Sequence, residues 1–120
     1  MAEFHLKERA FKFSVSLIKY FSSISLDSDF RFIKIQLYRS ATSIGANIIE
    51  GSGSSSRKEL LRYFRIAIRS AAETTYWLKL VKEIYSNIDK NRVDEFVMEP
   101  EAITRILGKS IATLGTKTDS

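Results

Sequence analysis

The chain has 120 residues, 44% hydrophobic and 28% charged, with a formal net charge of +5. That length allows one domain around a single core, and the composition is that of a globular protein rather than a disordered chain. Cysteine is absent, which excludes disulfides and thiolate metal sites. No apolar run reaches the roughly 20 residues that span a bilayer, and Met1 to Tyr20 lacks a signal-peptide pattern, so a cytoplasmic location is expected.

Helical periods govern the chain, and strand-like alternation is absent. A first helix is expected from about Phe4 to Ile24, with Leu6, Ala10, Phe13, Leu17, Tyr20 and Phe21 on its apolar face. A second starts after Ser28 or Asp29, presents Phe30, Ile33, Leu37, Ala41, Ile44 and Ile48, and stops at Gly51 as its C-cap. Gly51 to Ser55 is too short for anything but a hairpin turn, with Gly53 as a flexible residue within it.

The third helix is the clearest. Leu60, Phe64, Ala67, Ala71, Thr74, Leu78, Val81 and Tyr85 recur at steps of four and three, a heptad seam. Ser56 and Glu59 have capping-box spacing, so this helix is expected from Ser56 to about Tyr85. Leu61, Ile68, Ala72, Trp77 and Ile84 widen its apolar face beyond what one neighbour would cover. After a turn at Asn87 to Asn91, Val93, Phe96 and Val97 open a fourth pattern that Ile103, Ile106, Leu107, Ile111 and Leu114 resume. Pro100 lies between them and predicts a kink or break. The expected architecture is all-α: an antiparallel up-down-up-down four-helix bundle forming a single domain over 1–115, with 116–120 a disordered tail.

Charge is concentrated in the middle. Residues 31–70 hold eight Lys/Arg (Arg31, Lys34, Arg39, Arg57, Lys58, Arg62, Arg65, Arg69) against two acids (Glu50, Glu59), which makes this stretch +6, while the flanks roughly balance. Lys58, Arg62, Arg65 and Arg69 fall on one stripe of the third helix, spanning about 16 Å at 1.5 Å per residue. A solvated polar face would look the same on one isolated chain. Repetition around a ring would instead build a strong positive field suited to phosphates.

The hairpin is identified by its residues as well as its pattern. Arg39-Ser40-Ala41, Ser43-Ile44-Gly45-Ala46-Asn47-Ile48-Ile49-Glu50-Gly51, the turn Ser52 to Ser56 with Arg57-Lys58-Glu59, and Ala67 through Arg69-Ser70-Ala71-Ala72-Glu73 resemble the family of bacterial 23S ribosomal-RNA intervening-sequence proteins. The close likeness covers roughly a third of the chain, and helix order and length match across the rest. The resemblance implies a four-helix bundle assembled as a homo-oligomer, typically a pentamer, with basic surface suited to nucleic acid. Similar proteins serve as accessory subunits of reverse transcriptases in diversity-generating retroelements, and most members have no assigned catalytic activity. Pro100 is the visible departure.

The expected contact set for RNA or DNA is Lys58, Arg62, Arg65 and Arg69, with Arg57, Arg31 and Lys34 secondary. No zinc knuckle, RNP aromatics or basic zipper is present, so binding is expected to be non-specific. Counting outward from the turn pairs Glu50 with Arg57, Asn47 with Leu60 and Glu73 with Lys34. Glu50 is expected near the amides opening the third helix, Asn47 bonded to backbone in its own turn, and Glu73 neutralised by Lys34 or an arginine. These roles, with Gly51 and Ser56, are structural.

An enzyme finds little to work with. His5 is the only histidine, so neither a Glu-x-x-His di-iron motif nor a serine with a histidine base exists. Gly51-Ser52-Gly53 lacks the Gly-Lys-Ser/Thr of a phosphate loop. Trp77 reads as core or interface rather than as a base-stacking platform. No metal or cofactor is expected. The alternatives are a scaffold docking a nucleic-acid enzyme such as a reverse transcriptase, or a purely structural self-assembling protein.

Overall fold

The helical periods take shape as four long helices in a computed structural model that describes residues 2–25 and 27–115. They are α1 (Ala2–Ser22), α2 (Arg31–Ser52), α3 (Arg57–Ile84) and α4 (Lys90–Gly115), with a single 3-10 turn, Ser28–Phe30, leading into α2. No strand occurs among the described residues, and the fold is all-α. The tail expected over 116–120 lies outside the described residues.

Each helix has two neighbours: α2 lies between α1 and α3, and α4 also packs on α1 and α3. The molecule measures 55 × 22 × 19 Å, one helix long and two helices across. Along α3 the heptad residues Phe64, Ala67, Ala71, Thr74, Leu78 and Val81 are all buried. They meet Ile33, Leu37, Ala41, Ile44 and Ile48 of α2, Leu6 to Phe21 of α1, and Val93, Phe96, Ile103 and Leu107 of α4 in one continuous core. Aromatic edges close one end, where Tyr20, Phe21 and Phe96 cluster with centroids 5.1 to 6.1 Å apart.

The α2–α3 contact is built from small residues. Ser43 Oγ lies 3.0 Å from Ser70 Oγ, and Thr74 Oγ1 lies 2.9 Å from Ser40 Oγ and 2.8 Å from the Ser70 carbonyl. Short side chains let the two backbones approach, and pairing their hydroxyls avoids the cost of burying them unsatisfied. Gly51 belongs to the same contact. A Cβ there would sit 3.0 Å from Tyr63 Cβ and 3.4 Å from the Leu60 carbonyl. Gly51 is therefore required for close approach within α2 rather than as a C-cap. The helix continues through Ser52 to Gly53, whose N–H donates to the Ile49 carbonyl at 3.1 Å without a positive φ.

Pro100 does not break α4, which runs as one helix from Lys90 to Gly115. The proline removes only the bond to the Phe96 carbonyl, while Val93 and Phe96 on one side and Ile103 and Leu107 on the other hold the helix against the core. Its buried ring faces the small residues Ala71, Ala72 and Thr75 of α3, which leave room for it.

Candidate nucleic-acid interface

Ser56 sets the start of α3. Its extended backbone places Oγ to accept the Glu59 N–H at 3.1 Å, a cap contributing about 1 kcal/mol. From this fixed origin Lys58, Arg62, Arg65 and Arg69 project from the outer side of the helix, and all four are exposed. With Ile66 and Ile68 they line an open groove of about 700 Å³. The four residues of the primary set thus line one groove.

The four cations are not equivalent. Arg62 forks onto Glu59, Nε to Oε1 at 3.0 Å and Nη2 to Oε2 at 3.2 Å, and its guanidinium lies 4.4 Å over the Tyr63 ring. Those hydrogen bonds hold the Glu59 carboxyl below its ordinary range, against an opposing desolvation, and raise the Arg62 guanidinium further. Glu59 therefore serves Arg62 with its carboxylate and the cap with its amide. Lys58, Arg65 and Arg69 have no hydrogen bond or ion pair among the described residues.

A second concavity, about 380 Å³ between α1 and α4, offers a contrast. Its Arg9 binds Glu99 through two bonds of 2.8 and 2.9 Å, its Lys12 pairs with Glu8 at 3.1 Å, and its Arg92 pairs with Glu95 at 3.2 Å while covering Phe96 at 4.3 Å. Every cation there is already satisfied within the protein. In the α3 groove, by contrast, only Arg62 is paired with a carboxylate.

The secondary candidates are not brought to this site. Arg57 is half-buried at the first position of α3. Arg31 opens α2 beside the far end of α3, where Phe30 packs on Tyr85 with ring centroids 5.4 Å apart. Lys34 lies there too, and its Nζ donates to the Ile24 carbonyl at 3.1 Å. The pairing of Lys34 with Glu73 is thereby corrected: Glu73 accepts the Trp77 indole N–H at 3.1 Å. Glu50 is exposed and makes no hydrogen bond or ion pair among the described residues, because α2 turns Ile48 and Gly51 toward its neighbours instead. Both corrections share one cause. Gly51 faces Leu60, Tyr63 and Phe64 rather than Ser56, so the first turn of α3 projects past the end of α2 and the register is shifted from a level hairpin. Asn47 Nδ2 donates to the Ser43 carbonyl at 2.8 Å and to Ser43 Oγ at 2.9 Å, joining the small-residue contact.

The sequence reading passed over two tyrosines. Tyr63 carries Arg62, a pairing signalled only by adjacency. Tyr76, seven residues beyond Arg69 and so on the same stripe, is 59% exposed and stands edge-on to Trp77 with centroids 5.0 Å apart. Trp77 is half-buried and packs against the core. No group of three or more His, Cys, Asp or Glu that could hold a metal occurs among the described residues, and no described helix is long and apolar enough to cross a membrane.

Four helices, a small-residue contact between α2 and α3 and an outer row of four cations define a class of small all-α protein. Residues 2–109 match the 23S rRNA-intervening sequence protein family, and the chain belongs to it. It is also similar to the crystal structure of a protein with unknown function from the S23 ribosomal protein family of Bacteroides thetaiotaomicron. That likeness has 27% identity and a TM-score of 0.83, over 93% of this chain and 99% of the other. No functionally curated protein matches the chain.

Proposed function

We propose that this is a non-enzymatic cytoplasmic protein that binds RNA or DNA through phosphates on the outer face of α3, as a homo-oligomeric, antiparallel four-helix bundle. The single observation that carries the reading is the groove of Lys58, Arg62, Arg65 and Arg69, in which all but Arg62 make no hydrogen bond or ion pair among the described residues. Like charges at helical spacing repel one another, and a polyanion relieves that repulsion while releasing counterions. The direction of the helices is supported by residue pairs taken two to a helix pair, Ser40 with Thr74 and Ser43 with Ser70, Ala72 beside Pro100 and Lys82 with Asp94, Arg9 with Glu99 and Tyr20 with Phe96: in each case, as one partner's number rises the other's falls.

Oligomerisation is supported by apolar surface that no helix of the chain covers. Phe11 and Val15 on α1 and Ile35 and Ile49 on α2 are between 36% and 67% exposed. A pentameric ring would bury this surface and repeat the cationic row five times around one axis.

The test is anisotropy titration of labelled RNA and DNA across a salt series. Log K is expected to fall linearly with log salt, with a slope of about 0.7 to 0.9 per phosphate contact. The Arg65→Glu, Arg69→Glu double variant is expected to lose binding while circular dichroism shows unchanged helicity. Unchanged affinity in that variant would remove the site from α3. Absence of binding by the unaltered protein even at low salt would favour a protein-docking scaffold instead.

A further inference from the structure

We infer that the strand carried by α3 is single, with its phosphates on Lys58, Arg65 and Arg69 and one of its bases stacked on Tyr76; this rests on the phosphate-binding function proposed above. Arg62, Arg69 and Tyr76 are spaced seven residues apart, so the tyrosine continues the angular line of the cations and stands about 10 Å beyond Arg69 along the axis. A row of cations alone would suit any polyanion. A row that ends in an exposed ring suits one that can present an unpaired base.

The surroundings of the row point the same way. Its groove is lined by Ile66 and Ile68 as well as by charge, and apolar walls complement base or sugar faces rather than phosphate oxygens. In a duplex the base faces are stacked inside and only their edges are reachable. A single strand exposes them, and a positively charged track with aromatic platforms is the general solution for holding one. Tyr76 is also braced for this work. Trp77 meets it edge-on, and the indole is itself held through its N–H to Glu73 at 3.1 Å. The Tyr76 ring therefore has a fixed support beneath it, while the tyrosine hydroxyl has no hydrogen-bond partner among the described residues. A site that reads phosphates and a base face makes no use of the ribose 2′-hydroxyl, so RNA and DNA strands are expected to bind within a few-fold of each other.

The experiment compares a mixed-sequence RNA strand, the DNA strand of the same sequence, and the corresponding duplexes, titrated against unaltered protein, Tyr76→Ala and Tyr76→Phe. Unaltered protein is expected to bind strands more tightly than duplexes. Trp77, the only tryptophan of the chain, is expected to change its fluorescence when a strand is added. Tyr76→Ala should weaken strand binding by about 5- to 100-fold, the range that base–aromatic stacking covers, and leave duplex binding and the salt slope unchanged. Tyr76→Phe, which keeps the ring, should bind as the unaltered protein does. Equal affinity for strand and duplex, or a Tyr76→Ala variant that changes both alike or neither, would overturn the inference while leaving phosphate binding standing. Failure of every nucleic acid to bind at low salt would overturn both together.

Discussion

Glu59 shows how one side chain moderates a charged row. Its carboxylate holds Arg62 at 3.0 and 3.2 Å, so part of the positive charge on α3 is cancelled within the protein. Glu59→Gln is expected to tighten nucleic-acid binding and to steepen the log K against log salt slope by up to about 0.9, the increment for one further phosphate contact; an unchanged slope would mean that Arg62 never reaches the ligand. The sign with pH agrees. A carboxyl held below its ordinary range adds to stability above that range and loses the contribution as pH falls through the lowered value, and its protonation also frees Arg62. Both side chains are about half exposed, at 53% for Arg62 and 47% for Glu59, so solvent screens the pair and the effect is expected in binding rather than in stability. Sequence alone showed half of this. The step from Ser56 to Glu59 announces a cap, but the step from Glu59 to Arg62 is equally good for an ion pair, and spacing cannot say which partner the carboxylate takes.

Among the elements, α3 was the most legible and α4 the least. The heptad on α3 follows from burial on a straight helix, and its interior members from Phe64 to Val81 are all in the core; only its ends, Leu60 and Tyr85, are half-buried where the neighbouring helices give out. The register of the α2–α3 hairpin was not legible, because counting outward from a turn assumes that both helices start level. Here Gly51 packs against Leu60, Tyr63 and Phe64, three to seven residues past the start of α3, which moved Glu50, Glu73 and Lys34 away from their expected partners. Pro100 misled for a different reason: local propensity opposes a helix at that point, and the buried residues on either side outweigh it. Pro100→Ala would restore a donor for the Phe96 carbonyl at the expense of a buried ring. It is expected to stabilise the protein by about 1 to 2 kcal/mol, the balance of a roughly 3 kcal/mol helix-interior penalty against lost apolar burial. Thermal unfolding checks this, and a lower Tm would show that the ring's packing is the larger contribution.

On the scale of the whole molecule, the exposed apolar side chains Phe11, Val15, Ile35 and Ile49 emerge from α1 and α2, and the groove cations Lys58, Arg62, Arg65 and Arg69 from α3. Assembly through the first surface would leave the second open. Ile35→Lys combined with Ile49→Lys is expected to convert the oligomer to monomer in light scattering at micromolar concentration, with helicity retained; an unaltered protein that is already monomeric would contradict the proposed ring. The paired hydroxyls between α2 and α3 matter to such an assembly in a way that burial alone does not. An oily seam tolerates sliding, but displacing this hairpin by one turn would part Ser43 from Ser70 and Ser40 from Thr74, losing about 0.5 to 1.5 kcal/mol for each bond between the helices while the bonds of the Ser40, Ser43 and Thr74 hydroxyls within their own helices remain. The seam thus acts as a ratchet with a single stop. In the proposed ring it would set the cationic rows of all copies at one height, forming a level band rather than a ragged one.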